Sequence, residues 1–236
     1  FRRVLFRSDS FFDLGGDSLS AMRVIAAINS GLGAHLGVRA LFEASTVAQL
    51  APRIGDGDDG LEPLVAVERP AVVPLSFAQT RLWFLDQLQG PSPVYNMAVA
   101  LQLGGALDAE ALGAALADVV ARHESLRTVF IAPDGAPQQV VTTPERAEFG
   151  WQVVDAAARP AGWLGEAIDM AAGYTFDLAT EIPLRAMLFR VAENQHVLVA
   201  VVHHIAADGW SIAALARDVG VAYTSRCDGQ APDWAP

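Results

Sequence analysis

"HVLVAVVHHIAADGWS", residues 196–211, carries the clearest architectural signal in this chain. The apolar run over residues 197–202 reads as a buried β-strand. It delivers two adjacent histidines, a short loop, then Asp208 and Gly209 before the helical spacing of "SIAALARDVGVAY". Side chains alternate across a strand, so His203 and His204 should point to opposite faces, and only one of them easily serves a given pocket. A neutral imidazole at a strand end is suited to taking a proton near neutral pH. Asp208 could fix the loop by ion pairing or capping, or could orient the ring. Gly209 permits a backbone conformation unfavourable to other residues. A histidine at a strand end is also an ordinary structural feature. A metal site is disfavoured, because adjacent strand histidines diverge and no further His/Cys cluster follows; no metal is expected.

Upstream of this stretch, strand and helix patterns alternate from Ser76 onward. "NMAVALQLGG" is strand-like, and "DAEALGAALADVVARHE" is an amphipathic helix with Asp108 as its N-cap. "SLRTVFIAPDGAPQQVVT" reads as a hairpin around Pro-Asp-Gly, "FGWQVVD" as a strand and "RPAGWLGEAIDMAAG" as a helix. "PLRAMLFRVAENQHVLVAVVHHI" reads as two strands joined at residues 193–195. The sum is an α/β domain over residues 73–236 with a mixed sheet.

Residues 9–54 have a different texture. "DSLSAMRVIAAINS" places Leu19, Met22, Ile25, Ala26 and Ile28 near helical spacing, and "GLG" stops it. "VRALFEA" suggests a short helical turn, and "STVAQLAPRI" a further helix capped by Ser45 or Thr46. Three short helices make a marginal core for so short a unit, so a first helix is expected upstream. "GDGDDGLEP" is acidic and glycine-rich, a linker extending over 55–72, and the proline-containing "VAVERPAVVPL" is an extended lead-in rather than an element. The opening octet "FRRVLFRS" lacks capping logic and reads as a non-native leader, residues 1–8, outside the fold.

The bulk values narrow the function classes. The 236 residues are 52% apolar, ample for packed cores, with a net charge of −11 that argues against nucleic acid. Six Arg face four acids over residues 1–53, while ten Arg face 23 acids over 54–236; there is no lysine. No run approaches the 18 or more apolar residues of a membrane span, and no signal peptide opens the chain. The single cysteine, Cys227, points to a reducing, cytoplasmic setting, and the arginine-, alanine- and glycine-rich composition to a bacterial one.

Three segments occur in an order that resembles the condensation domains of nonribosomal peptide synthetases, a family similar to chloramphenicol acetyltransferase. "HHIAADG" fits the family's His-His-x-x-x-Asp-Gly pattern. "SFAQTRLWFLDQL", residues 76–88, is similar to its opening motif, and "RHESLRT", residues 122–128, to its second. "GPSPVYN" resembles the subclass that joins an L-configured donor to an L-configured acceptor. "FFDLGGDSLSAMRV" in turn resembles the phosphopantetheine attachment site of peptidyl carrier (thiolation) domains. Gly15 and Gly16 suit a tight turn there, and Ser18 sits near a helix N-terminus, where free amides and the dipole favour a phosphodiester. Capping of that helix by Ser18 or Asp17 is compatible with modification. Hydrolytic use of Ser18 is disfavoured, since no base is at hand and His35 lies past the glycine stop.

Carried over residue by residue, the resemblance implies a 4′-phosphopantetheine arm on Ser18, with Asp17 and Gly16 framing it, holding an aminoacyl or peptidyl thioester. It implies that His204 deprotonates or positions the acceptor amine, that Asp208 holds the loop, and that the Gly209 N–H lies near the thioester oxygen. His203, Arg81 and Arg127 take supporting roles, and Trp210 packs. The implied partners are a phosphopantetheinyl transferase, an adenylation domain and a downstream carrier, with neither nucleic acid nor membrane. The family has two similar halves facing a tunnel, and only the first is recognised here. The chain is therefore expected to be an internal fragment, a carrier lacking its first helix plus the N-terminal half of a condensation domain, inactive in isolation. Two other readings are a non-catalytic carrier-docking module and a CoA-dependent acyltransferase of the same broad fold.

Overall fold

The computed structural model describes residues 6–54, 68–160 and 162–234. Residues 55–67 of the expected linker lie outside the described residues, as do residues 1–5 of the opening octet. The chain divides into two compact units, residues 1–68 and 69–236.

In the first unit, α1 (Ser18–Leu32) starts at the N-cap Asp17 and stops at Gly33, whose φ of 61° is left-handed. That conformation is open to glycine, and it supplies the helix stop read in "GLG". The unit continues with α2 (Val38–Glu43) and α3 (Val47–Leu50), the latter capped by the Thr46 side chain and followed by a 3-10 turn, Ala51–Arg53. Its core is Ala21, Ile25, Leu41, Ala44 and Leu50, with Phe11, Val24 and Ile28 packed against it. The buried stripe of α1 is therefore Ala21, Val24, Ile25 and Ile28. Leu19 and Ala26, expected on the inner face, are exposed. The 3.6-residue period finds the helix, but its rotation depends on where α2 and α3 dock. Residues 6–8 of the expected leader are among the described residues, and the Arg7 carbonyl accepts the Ala48 N–H at 2.9 Å.

Gly16 is confined in a way the turn reading does not anticipate. A Cβ there would lie 2.3 Å from the Phe11 ring, which packs on the core and edge-on to Phe12. Gly16→Ala should destabilise this unit by about 1–3 kcal/mol, read as a lowered urea midpoint, because the ring would have to leave its packed position. An unchanged midpoint would show that Phe11 can move aside.

The second unit is built on two sheets. Strand β1 (Val73–Pro74) pairs with β4 (Gln138–Val141), which pairs with β3 (Thr128–Ile131), all antiparallel. The short β1 corrects the reading of "VAVERPAVVPL" as wholly without an element. Proline is tolerated there because the strand is an edge. The second sheet runs β2 (Asn96–Gly104), β7 (Gln195–His203), β6 (Leu184–Ala192) and β5 (Gln152–Asp155). Its β5–β6 pair is parallel and the others antiparallel, so the sheet is mixed.

Both faces of this sheet are covered. Leu198 and Val202 of β7 pack with Leu184, Ala186 and Leu188 of β6 under α5 (Ala109–Arg122), with Leu215 and Val219 of α7 (Gly209–Cys227) against the same cluster. Val199 and Val201 face the other way, with Phe130, Phe176 and Phe189, toward α6 (Trp163–Ala172). This double burial is why residues 197–202 are apolar without alternation. Helices α5 and α7 are also tied by charge. Buried Asp218 meets the Arg122 guanidinium at 3.2 Å and His123 Nε2 at 2.9 Å, and Asp118 holds Arg226 bidentately at 2.6 and 2.7 Å. Helix α4 (Phe77–Gln89) begins with a reciprocal capping box between Ser76 and Gln79.

Candidate functional site

The strand–loop–helix of residues 195–227 separates the two histidines. His203, the last residue of β7, is 3% exposed and lies with the Tyr95 and Phe176 rings edge-on at 6.4 and 6.2 Å. Its Nδ1 accepts the Ile205 N–H at 3.1 Å, which places the ring proton on Nε2. Burial, with the charge of His204 beside it, pushes the His203 pKa down from 6.5 to about 4. His204 is exposed instead, with its N–H on the Tyr95 carbonyl at 2.8 Å. It lines an open cavity of about 630 Å³ with Ser76, Gln79, Arg81, Tyr95, Gln139 and Asp208.

A buried, neutral His203 has a consequence for stability. Between pH 6.5 and pH 4 the unfolded chain binds a proton that the folded one refuses. Stability is therefore complete above that window and falls as the pH drops through it, by at most about 3 kcal/mol. His203→Asn, which keeps an acceptor for the Ile205 N–H, should flatten this slope in urea unfolding compared at about pH 7 and about pH 4.5. A slope unchanged by the substitution would assign it to other groups.

Asp208 is the N-cap of α7. Its Oδ1 accepts the N–H groups of Trp210 and Ser211 at 3.0 and 3.1 Å and the Ser211 hydroxyl at 2.9 Å. Partial burial pushes its carboxyl up. The Ser211 hydroxyl, the two N–H groups and the His204 charge outweigh this and hold it below the ordinary aspartate value. Of the three readings of Asp208, capping is the one the geometry displays. Gly209 differs from expectation: it opens α7 without a positive φ, and an added Cβ would meet nothing within 4 Å. The cap places Gly209 in an ordinary helical start, so no special conformation is needed; its N–H is one of the helix's orphan donors. Trp210, expected to pack, is 38% exposed.

Arg81 projects from α4 into the wall of the cavity and makes no hydrogen bond or ion pair among the described residues. Arg127 lies elsewhere. It donates to the carbonyls of Ala121, at 3.2 Å, and Thr142, and so ties the end of α5 to the end of β4. The sequence motifs do not single out Gln79, Tyr95, Gln139 and Ser211, although the Ser76-x-x-Gln79 spacing is a readable capping box. A second, apolar cavity of about 240 Å³ lies under α6, lined by Trp163, Tyr174, Arg185 and Met187 among others. None of the site residues expected from the sequence lines it.

In the first unit, Asp17 caps α1: its Oδ1 accepts the Ser20 N–H and hydroxyl, both at 2.7 Å. The same two groups hold its carboxyl below the ordinary value. Ser18, the first residue of the helix, is exposed, and its hydroxyl makes no hydrogen bond among the described residues. Gly15 has a φ of 93°, the left-handed turn that brings the chain into the cap. His35 is exposed beyond the end of α1.

Known proteins with the same organisation make these two sites intelligible. The Phosphopantetheine attachment site family matches residues 6–54, and the Condensation domain family matches residues 70–235. The chain is 57% identical over 239 residues to an isonitrile lipopeptide synthase of Mycobacterium tuberculosis, covering 99% of this chain and 10% of that protein. It is 46% identical over 228 residues to a dimodular nonribosomal peptide synthase of Bacillus subtilis, covering 97% and 10%. The chain thus spans about a tenth of the length of these two relatives. Among solved structures, the X-domain in complex with OxyB from teicoplanin biosynthesis aligns with a TM-score of 0.67 at 38% identity, over 75% of this chain and 38% of that one. The starter condensation domain of rhizomide synthetase aligns with a TM-score of 0.63 at 28% identity, over 70% and 40%. The helical first unit and the mixed-sheet second unit fit these matches, the second having the chloramphenicol-acetyltransferase-like architecture of condensation domains. This chain is a member of the condensation-domain family of nonribosomal peptide synthetases, with a phosphopantetheine-attachment carrier domain ahead of it in the same chain.

Proposed function

We propose that the chain holds a donor acyl group on its carrier unit and joins it to an amine in its condensation unit. In this reading Ser18 carries the 4′-phosphopantetheine arm, installed by a phosphopantetheinyl transferase, and Asp17 and Gly16 shape the turn that presents it. The thiol of that arm holds an aminoacyl or peptidyl group supplied through an adenylation domain. The amine of an amino acid on a downstream carrier enters the cavity beside His204. The amine nitrogen attacks the thioester carbonyl, the C–N bond forms, the C–S bond breaks, and the pantetheine thiol leaves. His204 takes or orients the amine proton, and the orphan N–H at Gly209 is a donor for the developing oxyanion. The observation that carries this reading is the divergence of the two histidines, which leaves His204 alone facing the cavity. "GPSPVYN" supports L-configured partners on both sides, and Cys227, free and exposed, suits a reducing bacterial cytoplasm.

The test is reconstitution of the synthetase that contains this chain, supplied with ATP, CoA, a phosphopantetheinyl transferase and proteinogenic amino acids. An amide-linked, carrier-bound product is expected by mass spectrometry; loaded carriers that never condense would overturn the reading. A second reading, a docking module without chemistry, draws on the X-domain, whose structure is that of a complex with OxyB. The two readings part on His204.

A further inference from the structure

We propose that Gln79 is a positioning residue for His204, acting through the backbone of Ile205. The proposal rests on the reading of His204 as the centre of condensation. The turn that carries His204 is held at several points: its own N–H on the Tyr95 carbonyl at 2.8 Å, the Ile205 N–H on His203 Nδ1 at 3.1 Å, and the Ala206 N–H on the His203 carbonyl at 3.0 Å. The remaining hold is on the Ile205 carbonyl, which accepts from Gln79 Nε2 at 3.4 Å. His203 and Gln79 thus grip the two polar groups of the residue that follows His204, one from the buried side and one from the cavity wall.

The Gln79 amide is fully committed. Its second Nε2 hydrogen goes to Gln139 Oε1 at 3.2 Å, and Gln139 Nε2 donates in turn to the Pro74 carbonyl at 2.9 Å. Its Oε1 accepts the Ser76 N–H at 2.9 Å, closing the capping box of α4. One side chain therefore registers α4, strand β4 and the histidine loop against one another. The bond to Ile205 is the longest of the holds on this turn and has the most room to tighten when the cavity fills, as catalytic contacts commonly do.

Gln79→Glu separates the two jobs. One carboxylate oxygen still accepts the Ser76 N–H, so the cap persists, while the other faces the Gln139 oxygen and the Ile205 carbonyl, acceptor against acceptor. His204, Asp208 and Arg81 are the other ionisable groups lining this cavity. In the complete synthetase containing this chain, single-turnover amide formation should fall about 10- to 100-fold in Gln79→Glu. Carrier loading should stay at the wild-type value, and the melting temperature should fall only modestly, because the cap persists while two donor contacts are lost. The deficit should narrow at acid pH, where the introduced carboxyl, once protonated, regains a donor. Gln139→Ala should show a smaller loss of the same kind. A rate equal to wild type in Gln79→Glu, with His204→Ala inactive, would overturn the positioning role and leave the condensation reading standing. A rate loss that shows no recovery at acid pH would also overturn it, by reducing Gln79 to a structural cap. Full activity in His204→Ala would remove the condensation reading and this inference together.

Discussion

His204→Ala is expected to lower amide formation by at least about 100-fold while carriers still load and dock. The magnitude is that of a positioned group acting on a proton in the transition state. The structure leaves little redundancy for it. His203 is next in sequence but is 3% exposed and absent from the cavity lining, with its Nδ1 engaged by the Ile205 N–H and its pKa pushed down to about 4. Buried behind Tyr95, it presents no atom to the cavity lining and stays neutral near pH 7. Removal of the His204 side chain should leave the fold intact, since the hold on this residue is through its backbone N–H. The informative measurement is the single-turnover rate of amide formation beside the fraction of Ser18 loaded with donor. A lost rate with Ser18 fully loaded identifies chemistry in the cavity. Unchanged product formation would favour the docking module.

Ser18→Ala should abolish phosphopantetheine loading altogether, because the oxygen that would form the phosphodiester is gone. Intact mass after incubation with a phosphopantetheinyl transferase and CoA reads this directly: a gain for wild type, none for the variant. The fold should tolerate the change. The Ser18 hydroxyl makes no hydrogen bond among the described residues, and the helix is capped by Asp17. Asp17→Ala makes the reverse comparison. It removes the acceptor for the Ser20 N–H, should lower the unfolding midpoint of this unit, and leaves the hydroxyl available for modification. Mass gain on Ser18→Ala would move the attachment to another residue.

These expectations draw unequally on sequence and structure. The motif around Ser18 identifies the serine, but from sequence Ser18 and Asp17 are equal candidates for the cap; the Asp17 carboxylate on the Ser20 N–H decides between them. Leu19 shows the same limit. It fits the helical period, yet it is exposed, because the inward face of α1 is set by Leu41 and Leu50 rather than by α1 alone. Gly209 needs no unusual backbone, against expectation, because the Asp208 cap already turns the chain into α7. Gln79 is legible as a capping-box residue, whereas Gln139, in an ordinary strand pattern, carries no signal at all.

Local order is written in local sequence. The strand ending at His203, the helix beginning at Gly209, the Pro-Asp-Gly hairpin and the cap at Asp108 follow from periodicity, turn chemistry and side-chain caps within a few residues of each other. The divergence of His203 and His204 follows in the same way from the strand period. Which of the two meets the cavity does not. That depends on Phe176 packing against the His203 ring and on Gln79, 126 residues before Ile205, lining the cavity beside His204. Contacts of that separation are set by how sheets and helices pack, and burial, hydrogen-bond geometry and the pKa of His203 all arise from that packing.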